Sequence, residues 1–336
     1  MQKVIARSCE ERSKAIARVF LAKFLFSRLT QPPFCLIKQE ITHCFLHSVL
    51  KNSFHIKPIL ISMKKRSLLL VLCLFTITVG LSAQGTRLLR QPTISSKNIV
   101  FVYADDLWIV DRDGGDAKRL TSHEGTESFP HFSPDGKMIA FSAQYDGNTD
   151  VFIVNTEGGE PKRLTFHPDA DIVQGWTPDG KQVLFRSGRK GVPTMINHFY
   201  TVNIEGGKET ELPIPQASFG DLSDDGNYVA YTPITLWDPE WRNYRGGQAQ
   251  PIWIMNLKDY SLVQTPQATN ERHSDPVWYK NEVYFLSERD YANNVWKFNP
   301  QTKELKQISV HKRFYRCTHL YFCNQSPCET IFVLFP

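Results

Sequence analysis

Short apolar runs, cut at intervals by turn-forming residues, fill the middle of the chain. Leu107-Trp108-Ile109-Val110, Met138-Ile139-Ala140-Phe141, Val151-Phe152-Ile153-Val154, Val183-Leu184-Phe185 and Ile252-Trp253-Ile254-Met255 are apolar throughout rather than alternating. Strict alternation predicts a strand with one wet face; unbroken runs rich in β-branched and aromatic residues predict strands covered on both faces. Between them lie Ser133-Pro134-Asp135-Gly136 and Thr177-Pro178-Asp179-Gly180. In such a tetrad proline presets φ at the first corner, aspartate suits the second and glycine accepts the positive φ that closes a hairpin. Gly114-Gly115, Gly158-Gly159 and Gly206-Gly207 mark further hairpins.

The punctuation is periodic. Ser133-Pro134-Asp135-Gly136-Lys137 returns 44 residues later as Thr177-Pro178-Asp179-Gly180-Lys181, and in weaker form as Ser223-Asp224-Asp225-Gly226-Asn227. Lys118-Arg119-Leu120-Thr121 also returns 44 residues on, as Lys162-Arg163-Leu164-Thr165. Several landmarks sharing one period predict stacked copies of a single supersecondary unit. Four strands per unit, each sheet covered by its neighbours, is the β-propeller, whose repeat is about 40 to 45 residues. Five units begin near Arg87, His123, Phe166, Gln216 and Arg272, the fifth with Tyr279-Lys280-Asn281-Glu282 where the others turn. The predicted class is therefore all-β, a propeller with about five blades present of an expected six. A two-layer β-sandwich is the rival, but it supplies no reason for the period.

Composition divides the chain at the same places. Residues 84–309 hold 23 Lys and Arg against 30 Asp and Glu, whereas residues 1–62 hold 10 against 3. The net charge of +5 thus conceals an acidic repeat region, which removes the electrostatic case for nucleic acid. All seven cysteines, Cys9, Cys35, Cys44, Cys73, Cys317, Cys323 and Cys328, fall outside the repeats, leaving that region no disulfide framework and no thiolate metal site. Met63-Lys64-Lys65-Arg66, the apolar run Leu68–Leu81 and Ser82-Ala83 form the three parts of a secretory signal, residues 63–83. Its apolar run is short for a stable membrane span. Export, to the periplasm, with cleavage after Ala83 is the expectation. Residues 1–62 read as a translated leader or as a basic amphipathic segment around Ser13–Leu29, and residues 310–336 as an aberrant tail from truncation or frameshift. Cys317, Cys323, Cys328 and His319 lack a zinc-knuckle spacing.

The stretch Phe132–Ser187, with its two Pro-Asp-Gly turns, resembles the N-terminal propeller of bacterial tricorn-protease homologues. The insertion Trp237–Leu257, "WDPEWRNYRGGQAQPIWIMNL", resembles that family's Tyr-Arg-Gly-Gly segment, and Asp275–Asp290 its next blade. The likeness covers about Thr86 to Ser309. It implies the first, six-bladed propeller of an exported serine peptidase, followed in the family by a second propeller, a PDZ-like module and the protease core. It implies a filter and channel for peptides rather than catalysis, peptide or protein partners, and a possible homo-oligomer. The Pro-Asp-Gly repeat is shared with the Tol-system periplasmic propeller, so a free-standing scaffold for protein partners is the alternative.

Candidate residues follow from that. The resemblance implies basic residues that hold a peptide C-terminus, and Arg186, Arg189 and Lys190 in "FRSGRKG" are the nearest, a solvated hairpin tip being the competing reading. Trp237, Trp241, Tyr244 and Arg245 are candidate interface anchors, or else packing against a neighbouring blade. No catalytic residue and no cofactor is expected: the chain has no Gly-x-Ser-x-Gly elbow, His-Glu-x-x-His, Walker loop or dinucleotide fingerprint. His123, His131, His167, His198 and His273 occupy different places in different repeats and are expected in turns or on the surface.

Overall fold

The computed structural model describes residues 89–191, 196–235 and 244–310, and the backbone of 319–322 and 331–334. The expectations for residues 1–62 and 63–83, for Trp237 and Trp241, and for the cysteines lie outside these residues. Five four-stranded antiparallel sheets form a ring, and no helix occurs among the described residues. The first blade is β1 (Arg90–Ile94), β2 (Asn98–Tyr103), β3 (Asp106–Asp111) and β4 (Lys118–Arg119). The second is β5 (Glu127–Phe132), β6 (Met138–Ala143), β7 (Asp150–Asn155) and β8 (Lys162–Arg163), and the third β9 (Asp171–Trp176), β10 (Gln182–Ser187), β11 (His198–Asn203) and β12 (Thr210–Glu211). The fourth is β13 (Gly220–Leu222), β14 (Tyr228–Tyr231), β15 (Trp253–Asn256) and β16 (Leu262–Gln264). The fifth is β17 (His273–Tyr279), β18 (Glu282–Ser287), β19 (Asn294–Phe298) and β20 (Leu305–Gln307). Strands β1, β5, β9, β13 and β17 succeed one another around the axis.

The turn tetrads close as their chemistry dictates. Ser133 Oγ, Thr177 Oγ1 and Ser223 Oγ each bond the Oδ1 of the aspartate two residues on at 2.6 Å. That Oδ1 accepts the N–H of Lys137, Lys181 or Asn227 at 3.0–3.1 Å, and glycine closes each turn at φ near 68°. The three copies repeat the same bonds because all of them are local.

Each seam between blades is apolar, as the unbroken runs require. Phe141 packs on the first blade, Phe185 on the second and Phe285 on the fourth, all fully buried. Backbone bonds stitch the same seams: the N–H of Glu127, Asp171 and His273 donates to the carbonyls of Asp105, Thr149 and Gln250 at 2.8–3.0 Å. A latch holds the outer strand of the first, second, fourth and fifth blades. Thr121 Oγ1, Thr165 Oγ1, Thr265 Oγ1 and Ser309 Oγ accept the N–H of Leu107, Val151, Ile252 and Val295 at 2.9–3.0 Å.

Three inner strands carry a bulge the sequence reading did not foresee. Gln91, Phe129 and Asp275 adopt φ of 47–52°, each immediately before a proline, and the ladder shifts register there. A bulky residue in the left-handed region stores strain, held here by Gln91 Oε1 accepting the Phe129 N–H at 2.8 Å.

Within residues 310–336 the structure adds a hairpin. β21 (His319–Phe322) pairs antiparallel with β22 (Ile331–Leu334), and β21 lies against both β17 and β1. It therefore occupies the position between the fifth blade and the first.

Candidate functional site

In an up-and-down four-stranded blade the start of the first strand, the end of the second and the start of the third share one end. The described parts of the connections, 188–191, 196–197, 232–235, 244–252 and 288–293, and the residue Arg186 therefore lie together on one face of the ring. The described candidates named from the sequence, Arg186, Arg189, Lys190, Tyr244 and Arg245, belong to this face. The Pro-Asp-Gly turns occupy the opposite one.

Arg186, near the end of β10, stands in register with Phe199 and Ile172. Its Nη1 donates to Ser218 O at 3.2 Å and to Ser218 Oγ at 2.9 Å, and its guanidinium lies 4.2 Å from the centroid of the Phe219 ring. Ser218 Oγ in turn contacts Thr235 Oγ1 at 2.7 Å. No carboxylate among the described residues pairs with it. Burial pushes it down to about 10, which leaves it charged at neutral pH.

Arg189 has a different fate. Its Nη2 chelates both oxygens of buried Asp171, at 2.8 and 2.6 Å, Nε donates to Ser187 Oγ at 3.1 Å and Nη1 lies 3.4 Å from Glu209. The guanidinium also stacks on Tyr200 and Phe185. Burial disfavours its charge, but Asp171 and Glu209 outweigh that and raise it above the usual arginine value. The donors expected to greet a peptide are committed inside the fold. Lys190 reaches Glu211 at the exposed hairpin tip.

The insertion returns to the ring through Tyr244 and Arg245. Arg245 Nη2 donates to Glu288 O at 2.8 Å, its guanidinium lies over Tyr291 at 5.0 Å, and Asn270 Nδ2 donates to Arg245 O at 2.6 Å. A β-carbon at Gly246 would fall 2.1 Å from Tyr244 Oη, which explains one glycine of the Tyr-Arg-Gly-Gly segment. Arg245 thus packs against the fifth blade, and Tyr244 lies against Gly246.

Two histidines correct the expectation of surface or turn sites. His131 is half-buried on strand β5, not in a turn, and burial pushes it down to about 4. His273 is fully buried: Nδ1 meets Thr265 Oγ1 at 2.7 Å and Nε2 meets Glu271 Oε1 at 3.3 Å. Burial alone would raise Glu271; His273 and the N–H groups of Thr269 and Ala268 hold it well below the usual carboxylate range. The order Thr–His–Glu has the connectivity of a nucleophile, base and acid. Thr265 is nevertheless the outer-strand latch of its blade and the group has no exposed face, so it joins the fourth blade to the fifth.

Sequence reasoning also missed Phe219, the platform beneath Arg186, and Asp221. The Asp221 carboxylate accepts the N–H of Trp278 at 2.9 Å and of Leu222 at 3.0 Å, and burial pushes it up to about 7. Trp278 lies 57 residues away, and no local pattern announces such a contact.

The family described as the tricorn protease N-terminal beta propeller domain matches residues 86–321. Tricorn protease homolog 1 of Streptomyces coelicolor is 28% identical over 228 residues, covering 68% of this chain and 21% of that protein. The tricorn protease of Thermoplasma volcanium is 26% identical, over 68% of this chain and 22% of its own length. The chain therefore spans about a fifth of the length of these relatives. Among solved structures, the tricorn protease crystal structure superposes with a TM-score of 0.60 at 23% identity, covering 74% of this chain and 25% of that one. A putative TolB from Agrobacterium tumefaciens gives 0.57 at 17% identity, covering 75% and 92%. These two likenesses concern the fold; the match along residues 86–321 concerns descent, and by it the chain belongs to the tricorn protease N-terminal β-propeller family.

Proposed function

We propose that this chain is the non-catalytic, peptide-handling propeller of an exported tricorn-type serine peptidase, and that it holds polypeptide ends by their carboxylate at Arg186. The observation that carries the reading is a half-buried guanidinium, positioned by Ser218 and Phe219, with no carboxylate partner among the described residues. A buried charge costs stability unless paired, so one left open by the fold is suited to an incoming anion. Arginine offers that anion a planar fork. Arg189 and Lys190 are bound to Asp171 and Glu211 and are not offered to the ligand. The export component rests on residues 63–83 and is tested by N-terminal sequencing of the secreted product, expected to begin at Gln84. A free-standing Tol-like scaffold would have no need of an open cation at this place.

The test is calorimetric titration with a short N-acetylated peptide ending in a free carboxylate, against the same peptide ending in an amide. A hydrogen bond to a charged group contributes about 1.5–3 kcal/mol, so the free acid should bind roughly tenfold or more tightly. Arg186→Gln should abolish the difference. Equal binding of acid and amide would overturn the reading.

A further inference from the structure

The turn face opposite Arg186 contains a departure from the repeat. At two seams the turn proline of one blade packs on the turn glycine of the next: a β-carbon at Gly180 would lie 3.5 Å from Pro134 Cδ, and one at Gly226 would lie 3.8 Å from Pro178 Cδ. Between the fourth and fifth blades both partners are missing. Asp224 stands at the proline position, and Tyr279-Lys280-Asn281 replaces the turn that would bring the glycine. Without that packing the seam opens into a cavity of about 280 Å³.

Its walls have two characters. Tyr228 and Trp278, stacked with centroids 5.8 Å apart and planes at 19°, form one side with Ile254 and Val263. Asp224 and Asp225 stand at the rim, where Asp224 Oδ2 accepts the Lys280 N–H at 3.1 Å, and Asp221 lies behind Trp278. Lys280 directs its ammonium toward the Tyr279 ring, 5.0 Å from the centroid. An aromatic and aliphatic lining under carboxylates suits a cation on an apolar stem. The volume falls just below the ~300–1,000 Å³ of ordinary small-molecule pockets, which fits one side chain better than a whole metabolite.

We propose that this cavity is a docking site for a single arginine or lysine side chain presented by a polypeptide partner, with its charge at Asp224 and its stem against Tyr228. The site lies at the opposite end of the ring from Arg186 and takes the opposite charge, so it stands or falls independently of the carboxylate reading.

The probe is N-acetyl-arginine methylamide, which carries no carboxylate, titrated into the full chain while the indole N–H resonance of Trp278 and the binding heat are followed. Its neutral isostere, N-acetyl-citrulline methylamide, is the control. Arginine should bind in the millimolar range, roughly tenfold more tightly than citrulline, and should weaken with added salt. Asp224→Pro restores the residue that the second and third blades carry and should close the site. Asp224→Asn keeps the shape and removes the charge, and should reduce arginine to the level of citrulline. Arginine and citrulline binding alike, absence of any response of Trp278, or undiminished binding by both variants would each overturn the proposal.

Discussion

Arg186 and Arg189, three residues apart on one hairpin, should respond to removal in opposite ways. Asp171 has no exposed side-chain surface and Arg189 is 10% exposed, so Arg189→Gln leaves a buried carboxylate without its cation. Breaking such a pair from one side costs about 3–5 kcal/mol, because the partner's desolvation is no longer compensated. For an ordered region of this size each kcal/mol lowers Tm by about 2–4 °C, so a fall on the order of 6–20 °C is expected. Arg186→Gln removes a charge that has no carboxylate to abandon, and should change stability by less than about 1 kcal/mol in either direction. Urea and thermal unfolding followed by far-ultraviolet circular dichroism measure both. The double variant Asp171→Asn with Arg189→Gln should be more stable than the sum of the single losses by about 1–3 kcal/mol, since the two residues are in direct contact. A loss below about 1 kcal/mol for Arg189→Gln, or equal losses for the two arginines, would refute the assignment of one to the fold and the other to binding.

Asp221, raised to about 7 by burial, binds its proton more tightly in the folded chain than in the unfolded one, where it titrates near 4. Its contribution to stability is therefore greatest below pH ~4 and declines as pH rises toward ~7, and urea midpoints across that range should fall less steeply in Asp221→Asn than in the parent. Thr265→Ala leaves the buried Ile252 N–H without its acceptor at 2.9 Å and should cost about 1–3 kcal/mol in the same unfolding assay, with Thr165→Ala giving a similar loss. Phe185→Ala empties the seam between the second and third blades, where the ring is fully buried, and should cost about 3–5 kcal/mol.

The features legible in the sequence are those whose causes lie within a few residues. Ser133, Asp135 and Gly136 close their turn with bonds spanning no more than five residues, so the motif alone specifies the hairpin, and its 44-residue return specifies the blade. Unbroken apolar runs announced seams on both sides. The identity of the partners across a seam was not legible: Trp278 depends on Asp221 and Phe129 on Gln91, neither fixed by the repeat. His273 looked peripheral because a lone histidine at the start of a strand carries no sign of burial until Thr265 and Glu271 are placed around it. The partner of Arg189 was hidden for the same reason. A usable signal existed, since Asp171 stands 44 residues after Glu127, which in the second blade is a buried acid serving the first blade's latch Thr121.

The repeat also supplies a way to separate architecture from function, by comparing what different blades do at one position. Arg119, Arg163 and Glu211 occupy equivalent places on the outermost strand, and their partners Asp106, Asp150 and His198 change with them. A position that changes its residue while keeping a neighbour at the start of the third strand is serving the blade. Arg186 behaves otherwise. Its counterpart 44 residues earlier is Ser142, whose hydroxyl donates to Asp171 O at 3.0 Å and accepts the Val173 N–H at 2.8 Å, so the second blade reaches the third without a charge. Arg186 reaches Ser218 across the next seam in the same manner, and the contact a serine suffices to make is made here by a guanidinium. The blade architecture accounts for the reach but not for the charge, and no carboxylate among the described residues answers it. Asp224 obeys the same logic at the opposite face, where the proline that would fill the seam is replaced by an acid beside a cavity. Stitch and packing are what the other blades require at these two positions, and the cation and the carboxylate that exceed that requirement are the groups left available to a partner.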